Sequence, residues 1–185
     1  MSIFTYPSLQ EPGNPTRMIR LMPHTRSDAP IECKLFNYNL LEGGGRAHMY
    51  EALSYCWQSN VRSETVRLNG IPFSVTKNLH TALSYLRDRQ LERILWIDAI
   101  CINQDDSDEK SKQIPLMRMI YAQAGQVIVW LGDGTDNGDR ALSQIQHLAE
   151  ASGVQMVSNI AEDYESCLKL LQRDLVSSHL GMEFV

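Results

Sequence analysis

Apolar and polar residues along the chain form a series of short runs that predict strands. Residues 17–21 and 31–36 alternate with a period of two, which is typical of strands with one buried face. Residues 50–57, 94–97 and 126–131 are more continuously apolar, as in strands that are covered on both faces. We therefore expect two half-buried strands near the start of the chain and three deeply buried strands after them.

A β-hairpin is predicted between these two groups. Two short apolar runs, 65–68 and 71–75, flank Asn69-Gly70. This dipeptide favours a tight hairpin turn because both residues tolerate positive φ. Pro72 has no N–H to donate to a neighbouring strand, so the second arm of the hairpin is expected at an edge of the sheet.

Helical periodicity appears in four segments. Residues 79–89 carry one apolar stripe and are capped by either Thr76 or Asn78. A longer helix begins at a capping box, Asp106 to Glu109, and continues to about residue 124 with a kink at Pro115. Similar stripes predict helices over two later segments, 139–151 and 159–176.

The order of these elements predicts an α/β fold. A strand, a helix and a second strand in succession form a crossover unit, which makes the two strands parallel. We expect a mostly parallel central sheet from the strands at Tyr50, Leu95 and Val127, with helices on its faces. The N-terminal strands and the hairpin then add an antiparallel portion. The expected units are an extended arm at 1–16, an α/β domain at 17–152, and a C-terminal helix and tail at 153–185.

Charge, apolar run length and cysteine spacing argue against several classes of function. The net charge is −5 and no basic run occurs, which argues against a nucleic-acid-binding surface. No apolar run has membrane-spanning length and no secretory signal is present, so we expect a cytoplasmic protein without a membrane span. The four cysteines have no C-x-x-C spacing, so we expect reduced thiols and no metal site.

Polar residues gather after two of the predicted buried strands. In open α/β sheets, ligands bind at the carboxyl ends of the strands. The stretch from Leu95 to Gln113 leaves a buried strand, crosses a polar loop and enters a helix. The run from Tyr50 to Trp57 is predicted to form a neighbouring strand, and its last residues lie at the carboxyl end of that strand. The expected ligand-binding residues are Ser54, Tyr55, Trp57, Asp98, Asn103, Gln104, Asp105, Glu109 and Gln113.

Each of these residues also has a structural interpretation. Asp98 either binds a ligand group such as a ribose hydroxyl or caps its own turn by accepting backbone N–H bonds. In the structural interpretation Glu109 caps its helix, which we favour, and Gln113 is an amide that faces solvent one turn later. Trp57 suits a core position as well as a binding site. Glu51, a carboxylate in an apolar strand, is either the catalytic residue or the partner of a structural arginine.

Four blocks of the sequence together resemble a known family. They are YEALSYCW (50–57), NLHTALSYLR (78–87), LWIDAICINQDD with Glu109 and Gln113, and IYAQAGQVIVWLG (120–132). In this order they are similar to the HET domain, the fungal heterokaryon-incompatibility domain. The resemblance covers roughly residues 17–150, and LWIDAICINQ is long and unusual in composition.

The resemblance implies a role in fungal self/non-self recognition and regulated cell death, through nucleotide binding or self-association with other cell-death proteins. HET domains are regarded as distant relatives of TIR domains, some of which cleave NAD with a glutamate on a later helix. By that analogy the ligand or substrate is NAD or a related nucleotide, with no cofactor certain.

The chain departs from the family pattern in two places. Gln58 stands where glycine is usual, and a third block with tryptophans and a Gln-Glu pair is not found after Trp130. Glu183 is a poor substitute for that block. Two alternatives therefore stay open beside a binding module: an NAD glycohydrolase that uses Glu51, and an inactive, truncated regulatory protein.

Overall fold

The computed structural model describes residues 4–9, 13–41, 48–55, 57, 61–130, 132 and 182–184. The glycine run at 43–45, Cys56 and the two helices predicted at 139–151 and 159–176 lie outside these residues. Eight strands are present among the described residues: β1 Pro15–Leu21, β2 Glu32–Asn39, β3 His48–Tyr55, β4 Glu64–Leu68, β5 Ile71–Val75, β6 Arg93–Trp96, β7 Ala124–Trp130 and the short β8 Met182–Phe184.

All the strands belong to one sheet with the order β5-β4-β2-β1-β6-β3-β7-β8. The helices are α1 Lys77–Leu86, α2 Asp98–Cys101, α3 Ser107–Gln113 and α4 Met117–Gln123, with a 3₁₀ turn at Ile114–Leu116. The mixture of strands and helices confirms the α/β class. None of these helices in the described part of the chain is long and apolar enough to cross a membrane.

The prediction of a mostly parallel sheet was wrong, because the sheet is mixed. As expected, β3 lies between β6 and β7 and runs parallel to both. However, β1 lies inside the sheet and is antiparallel to both of its neighbours, β2 and β6. Met18, Ile19 and Leu21 are almost completely buried, so the antiparallel portion formed by the N-terminal strands extends into the core of the sheet.

The predicted hairpin is confirmed. β4 and β5 pair in an antiparallel register around Asn69 and Gly70, whose φ angles are 53° and 80°. The Asn69 amide oxygen also accepts the N–H of Leu35 at 2.9 Å, which ties the turn to β2. β5, which contains Pro72, is the outermost strand at its side of the sheet.

Helix α1 follows the hairpin and covers the sheet with its predicted stripe, Leu79, Ala82, Leu83 and Leu86, all buried. Thr76 is the cap: its hydroxyl oxygen accepts the N–H of Leu79 at 3.2 Å. The helix ends at Leu86 rather than at residue 89. Arg87 turns into an extended conformation, and its guanidinium donates to the carbonyls of Ser27 and Ala29 at 2.7 and 2.8 Å.

The long helix predicted after Asp106 breaks at Pro115, as expected. A 3₁₀ turn containing the proline separates α3 from α4. Two tyrosines then fix α4 to β3: the Tyr50 hydroxyl donates to the carbonyl of Ile120 at 2.5 Å, and the Tyr121 hydroxyl to that of Leu53 at 3.1 Å.

Candidate functional site

A cavity of about 260 Å³ lies where three strands end. Trp57 follows β3, Ala99 follows β6, and Val75 and Thr76 connect β5 to the first turn of α1. The lining residues are Trp57, Arg62, Ser74, Val75, Thr76, Leu79, Ala99, Gln104 and Lys110. Two of the residues predicted to bind a ligand, Trp57 and Gln104, therefore line one cavity. This is the kind of position at which open α/β sheets bind ligands.

Asp98 fixes the positions of both of these side chains. The indole N–H of Trp57 donates to Asp98 Oδ2 at 3.2 Å, and the Gln104 side-chain amide donates to the Asp98 carbonyl at 2.8 Å. The N–H of Ala99 also donates to Asp98 Oδ1 at 2.7 Å. The Asp98 carboxylate thus accepts one backbone N–H, that of the next residue, and Asp98 also holds two cavity-lining side chains.

The electrostatics around Asp98 are unusual. Burial raises the pKa of its carboxyl to about 6, and the N–H donors of Ala99 and Trp57 oppose the rise only in part. The neighbouring Tyr55 hydroxyl is buried and has no hydrogen-bond partner among the described residues. Burial, and secondarily the Asp98 charge, raise the pKa of Tyr55. Ser54 is half-buried in β3, in register with Val129 of β7.

The charged residues that line the cavity are both basic. Arg62 comes from the loop before β4 and Lys110 from α3, and among the described residues no acidic side chain lines the cavity with them. The nearest acidic side chain in the contacts of Arg62 is Asp105, with Oδ2 3.9 Å from Arg62 Nη1. The Arg62 side chain is 41% exposed and the Asp105 side chain 85% exposed, so solvent screens this pair strongly.

Glu109 has a different role from the one expected. Asp106 caps α3 by accepting the N–H groups of Asp108 and Glu109, each at 2.9 Å. The Glu109 carboxylate does not complete the capping box. It instead accepts two bonds from the buried Arg17, at 2.7 and 2.9 Å, and the N–H of Asn103 at 2.6 Å. Its oxygens are therefore used within the protein.

The structural alternative for Gln113, a side chain that faces solvent, was wrong: the residue is only 3% exposed. Its side-chain amide donates to the carbonyl of Pro15 at 2.8 Å and so holds the start of β1. Pro15 is 98 residues from Gln113 in the chain, so the sequence of α3 alone does not reveal this contact. The structure thus places Gln113 away from the cavity-lining residues.

Glu51 does not join the cluster around Asp98. Both of its oxygens accept bonds from Arg93, from Nε at 2.7 Å and from Nη2 at 2.8 Å. Arg93 begins β6, whereas Asp98 follows the end of the same strand. Of the two interpretations considered for Glu51, this contact favours the structural ion pair with an arginine.

Sequence reasoning missed four residues of this region: Arg17, Arg62, Thr76 as a lining residue, and Lys110. Arg17 lies in an alternating run that reads as an ordinary half-buried strand, and only its burial to 1% exposure shows its importance. Arg62 and Lys110 lie in segments rich in polar residues, where a single cation does not stand out. Their closeness to the two polar strand ends was the available signal.

Nucleophilic and metal chemistry find little support among the described residues. No group of three His, Cys, Asp or Glu side chains suitable for a metal ion occurs within them. Cys33 and Cys101 are free and buried, and burial raises the pKa of each thiol to about 12. At neutral pH both thiols are protonated and act as packing groups.

An α/β domain with a cavity at its strand ends is thus the class that the fold and the site define. The family model described as "Heterokaryon incompatibility protein (HET)" matches residues 50–178, which is more than half of the chain, and the chain belongs to this family. A curated relative is Heterokaryon incompatibility protein 6, OR allele, of Neurospora crassa. The two are 35% identical over 164 residues, which cover 80% of this chain.

The same alignment covers only 24% of the Neurospora crassa protein, so the chain spans about a quarter of that relative's length. No solved structure matches the chain. The membership that the four sequence blocks indicated is confirmed, whereas the likeness to TIR domains remains a prediction.

Proposed function

We propose that this chain is a HET-type module of fungal self/non-self recognition and regulated cell death, and that it acts in the cytoplasm by binding a nucleotide at the strand-end cavity. The observation that carries the proposal is the cavity lining: an indole, an amide and two cations lie together at the carboxyl ends of β3 and β6. Such sites commonly combine an apolar wall with a few polar groups that orient the ligand.

Charge supports an anionic ligand. The whole chain carries a net charge of −5, yet the ionisable side chains that line the cavity are Arg62 and Lys110. The first turn of α1 also contributes to the lining through Thr76 and Leu79, and the N-terminal end of a helix favours a negative group. Phosphate groups match this combination of a guanidinium, an ammonium and a helix N-terminus.

Size and shape support a nucleotide in particular. A cavity of about 260 Å³ lies just below the ~300 Å³ at which pockets for drug-sized ligands begin. It therefore suits one nucleotide unit or part of a dinucleotide such as NAD. Trp57 offers an apolar ring surface, and its N–H is already bonded to Asp98, so the ring orientation is fixed before a ligand arrives.

Calorimetric titration of the protein with NAD tests the proposal, with uncharged adenosine as the comparison ligand. The sharpest pair of variants lies on α3, where Lys110 lines the cavity and Lys112 is exposed elsewhere. Lys110→Ala is expected to weaken NAD binding by about fivefold to tenfold because a charge-assisted contact is lost. Lys112→Ala should have no effect. Equal binding of NAD and adenosine, or equal effects of the two variants, would contradict the proposal.

The two other hypotheses are tested in the same samples. Release of nicotinamide would support an NAD glycohydrolase, and Glu51→Gln and Asp98→Asn then identify the carboxylate that acts at the ribose. Light scattering with and without NAD tests self-association. A monomer that binds no NAD and releases no nicotinamide would favour an inactive regulatory protein that acts only through partners.

A further inference from the structure

Residues 4–9, named here the docked segment, are packed firmly against the domain. The rings of Phe4 and Tyr6 meet edge to face at 5.1 Å, and both contact Phe73 of β5, at 5.5 and 6.3 Å. The carbonyl of Ser8 accepts a bond from the Asn37 side chain at 2.9 Å. The segment therefore has specific contacts, although its sequence suggested an arm without a core of its own.

A single buried guanidinium connects the docked segment to the helices beside the cavity. Arg17 is 1% exposed, and its guanidinium carbon lies 4.8 Å from the centre of the Tyr6 ring. Arg17 donates to the carbonyl of Pro7 at 2.7 and 3.1 Å, to that of Cys101 at 3.2 Å, and to both oxygens of Glu109. These bonds use all the donor directions of the fork.

Glu109 in turn holds the loop at 103–105, which contributes Gln104 to the cavity. Its Oε1 accepts the N–H of Asn103 at 2.6 Å, and the Asn103 side chain accepts the N–H of Asp105 at 3.2 Å. Gln104 lies between these two residues and lines the cavity. A continuous set of hydrogen bonds therefore runs from the docked segment through Arg17 and Glu109 to the loop at 103–105.

We propose that Arg17 and the docked segment are positioning elements of the binding site: by holding Glu109 they fix the loop at 103–105 in the shape that binds the ligand. The inference deepens the proposed function, because it concerns the same cavity. A purely stabilising role would affect the whole domain. A positioning role affects this loop first, since the docked segment contacts the periphery of the sheet while β3 and β6 form its centre.

The test separates these roles by measuring amide hydrogen exchange by NMR in the full chain, without a ligand. Tyr6→Ala removes the ring from the guanidinium and from Phe73 and leaves every donor and acceptor of the network in place. We expect exchange of the Asn103 amide to rise about fivefold to tenfold, as loss of a cation–π contact implies. Amides in the centre of β3 and β6 should be unchanged. Tyr85→Ala, another partly exposed aromatic, is the matched control and should leave Asn103 unaffected.

A second variant, Arg17→Met, removes every bond that the guanidinium makes, and exchange at Asn103 should then rise at least as much as in Tyr6→Ala. If that variant does not fold, Tyr6→Ala decides alone. Unchanged exchange at Asn103 in the folded variants, or an equal rise throughout β3 and β6, would overturn the inference. NAD titration of Tyr6→Ala should show weaker binding by a similar factor. Failure of the wild type to bind NAD would refute the proposed function. The exchange measurement needs no ligand, so it would still test the positioning role.

Discussion

Two arginine–carboxylate pairs lie near the cavity, and they differ in almost every physical respect. Arg17 and Glu109 form a bidentate pair at 2.7 and 2.9 Å, with side chains that are 1% and 14% exposed. Arg62 and Asp105 approach only to 3.9 Å and are 41% and 85% exposed. The buried pair is saturated by further bonds to Pro7, Cys101 and Asn103, whereas the Arg62 guanidinium lines an open cavity.

The difference shows how one kind of contact serves two purposes. A buried charge must be fully paired, because an uncompensated one costs several kcal/mol, so Arg17 and Glu109 are committed to the fold. An exposed pair contributes roughly 0–1 kcal/mol, so Asp105 can be replaced at Arg62 by another anion at little cost. The first pair is therefore structural and the second is available to a ligand.

Breaking the buried pair should have the largest effect. Arg17→Met keeps the apolar stem but leaves the Glu109 carboxylate and the Pro7 carbonyl without their partner. We expect the free energy of unfolding, measured by urea denaturation at pH 7, to fall by about 3–5 kcal/mol. Arg26→Met, which removes an arginine from the exposed pair with Asp28, is the control and should be unchanged. A small loss in Arg17→Met would show that the two pairs are not as different as proposed.

The stability of the protein should depend on pH because the carboxyl of Asp98 is buried. The Asp98 carboxyl has a pKa of about 6 in the folded protein, against 3.8 for the free side chain. Between these values the folded state keeps a proton that the unfolded state has released, so stability falls as the pH rises from about 4 to about 6. The loss is at most about 3 kcal/mol and is complete above pH 6.

Asp98→Asn removes this titration, so the stability of the variant relative to wild type should increase from pH 4 to pH 6 and then stay constant. Urea denaturation at pH 4, 5, 6 and 7 measures the difference. Asp105→Asn makes the same chemical change at an exposed position of the neighbouring loop and is the control. A difference that does not vary with pH would mean that folding does not raise the pKa of the Asp98 carboxyl.

Much of the fold was predictable because it depends on local patterns. The hairpin at Asn69-Gly70, the Thr76 cap, the break at Pro115 and the parallel order of β6, β3 and β7 all follow from turn chemistry or periodicity. The position of β1 inside the sheet was not predictable in this way. A strand that alternates at the sequence level gives no information on which two strands flank it.

The site was predictable only in its centre. Trp57, Asp98 and Gln104 come together because each directly follows a predicted strand or opens the next element. Glu109 and Gln113 were assigned to the site because they lie on the helix that follows the polar loop. Their observed partners, Arg17 and Pro15, are more than 90 residues away in sequence. The two cations of the cavity lie close in sequence to Trp57 and Gln104, but a single cation in a polar segment does not stand out.

Loss of the exposed pair between Arg62 and Asp105 should change the affinity for the ligand. If Asp105 competes with the ligand for Arg62, Asp105→Asn should strengthen NAD binding by about twofold to fivefold at low salt, the range expected for an exposed ion pair. The gain should disappear as added salt screens the charges. Asp108→Asn, a carboxylate of α3 with no contact to Arg62 among those described, is the control. Weaker binding in Asp105→Asn would instead make Asp105 a ligand contact.

The smallest effect on stability is expected at Arg62, in contrast to Arg17. Arg62→Ala should change the free energy of unfolding by no more than about 0.5 kcal/mol. Its one carboxylate partner in the described part of the chain, Asp105, is highly exposed, and solvent already screens the pair. The same variant should weaken NAD binding, since the cavity loses one of its two cations. Urea denaturation and calorimetry on one preparation measure both quantities. A stability loss comparable to that of Arg17→Met would place Arg62 in the structural frame and remove the basis for assigning it to the ligand.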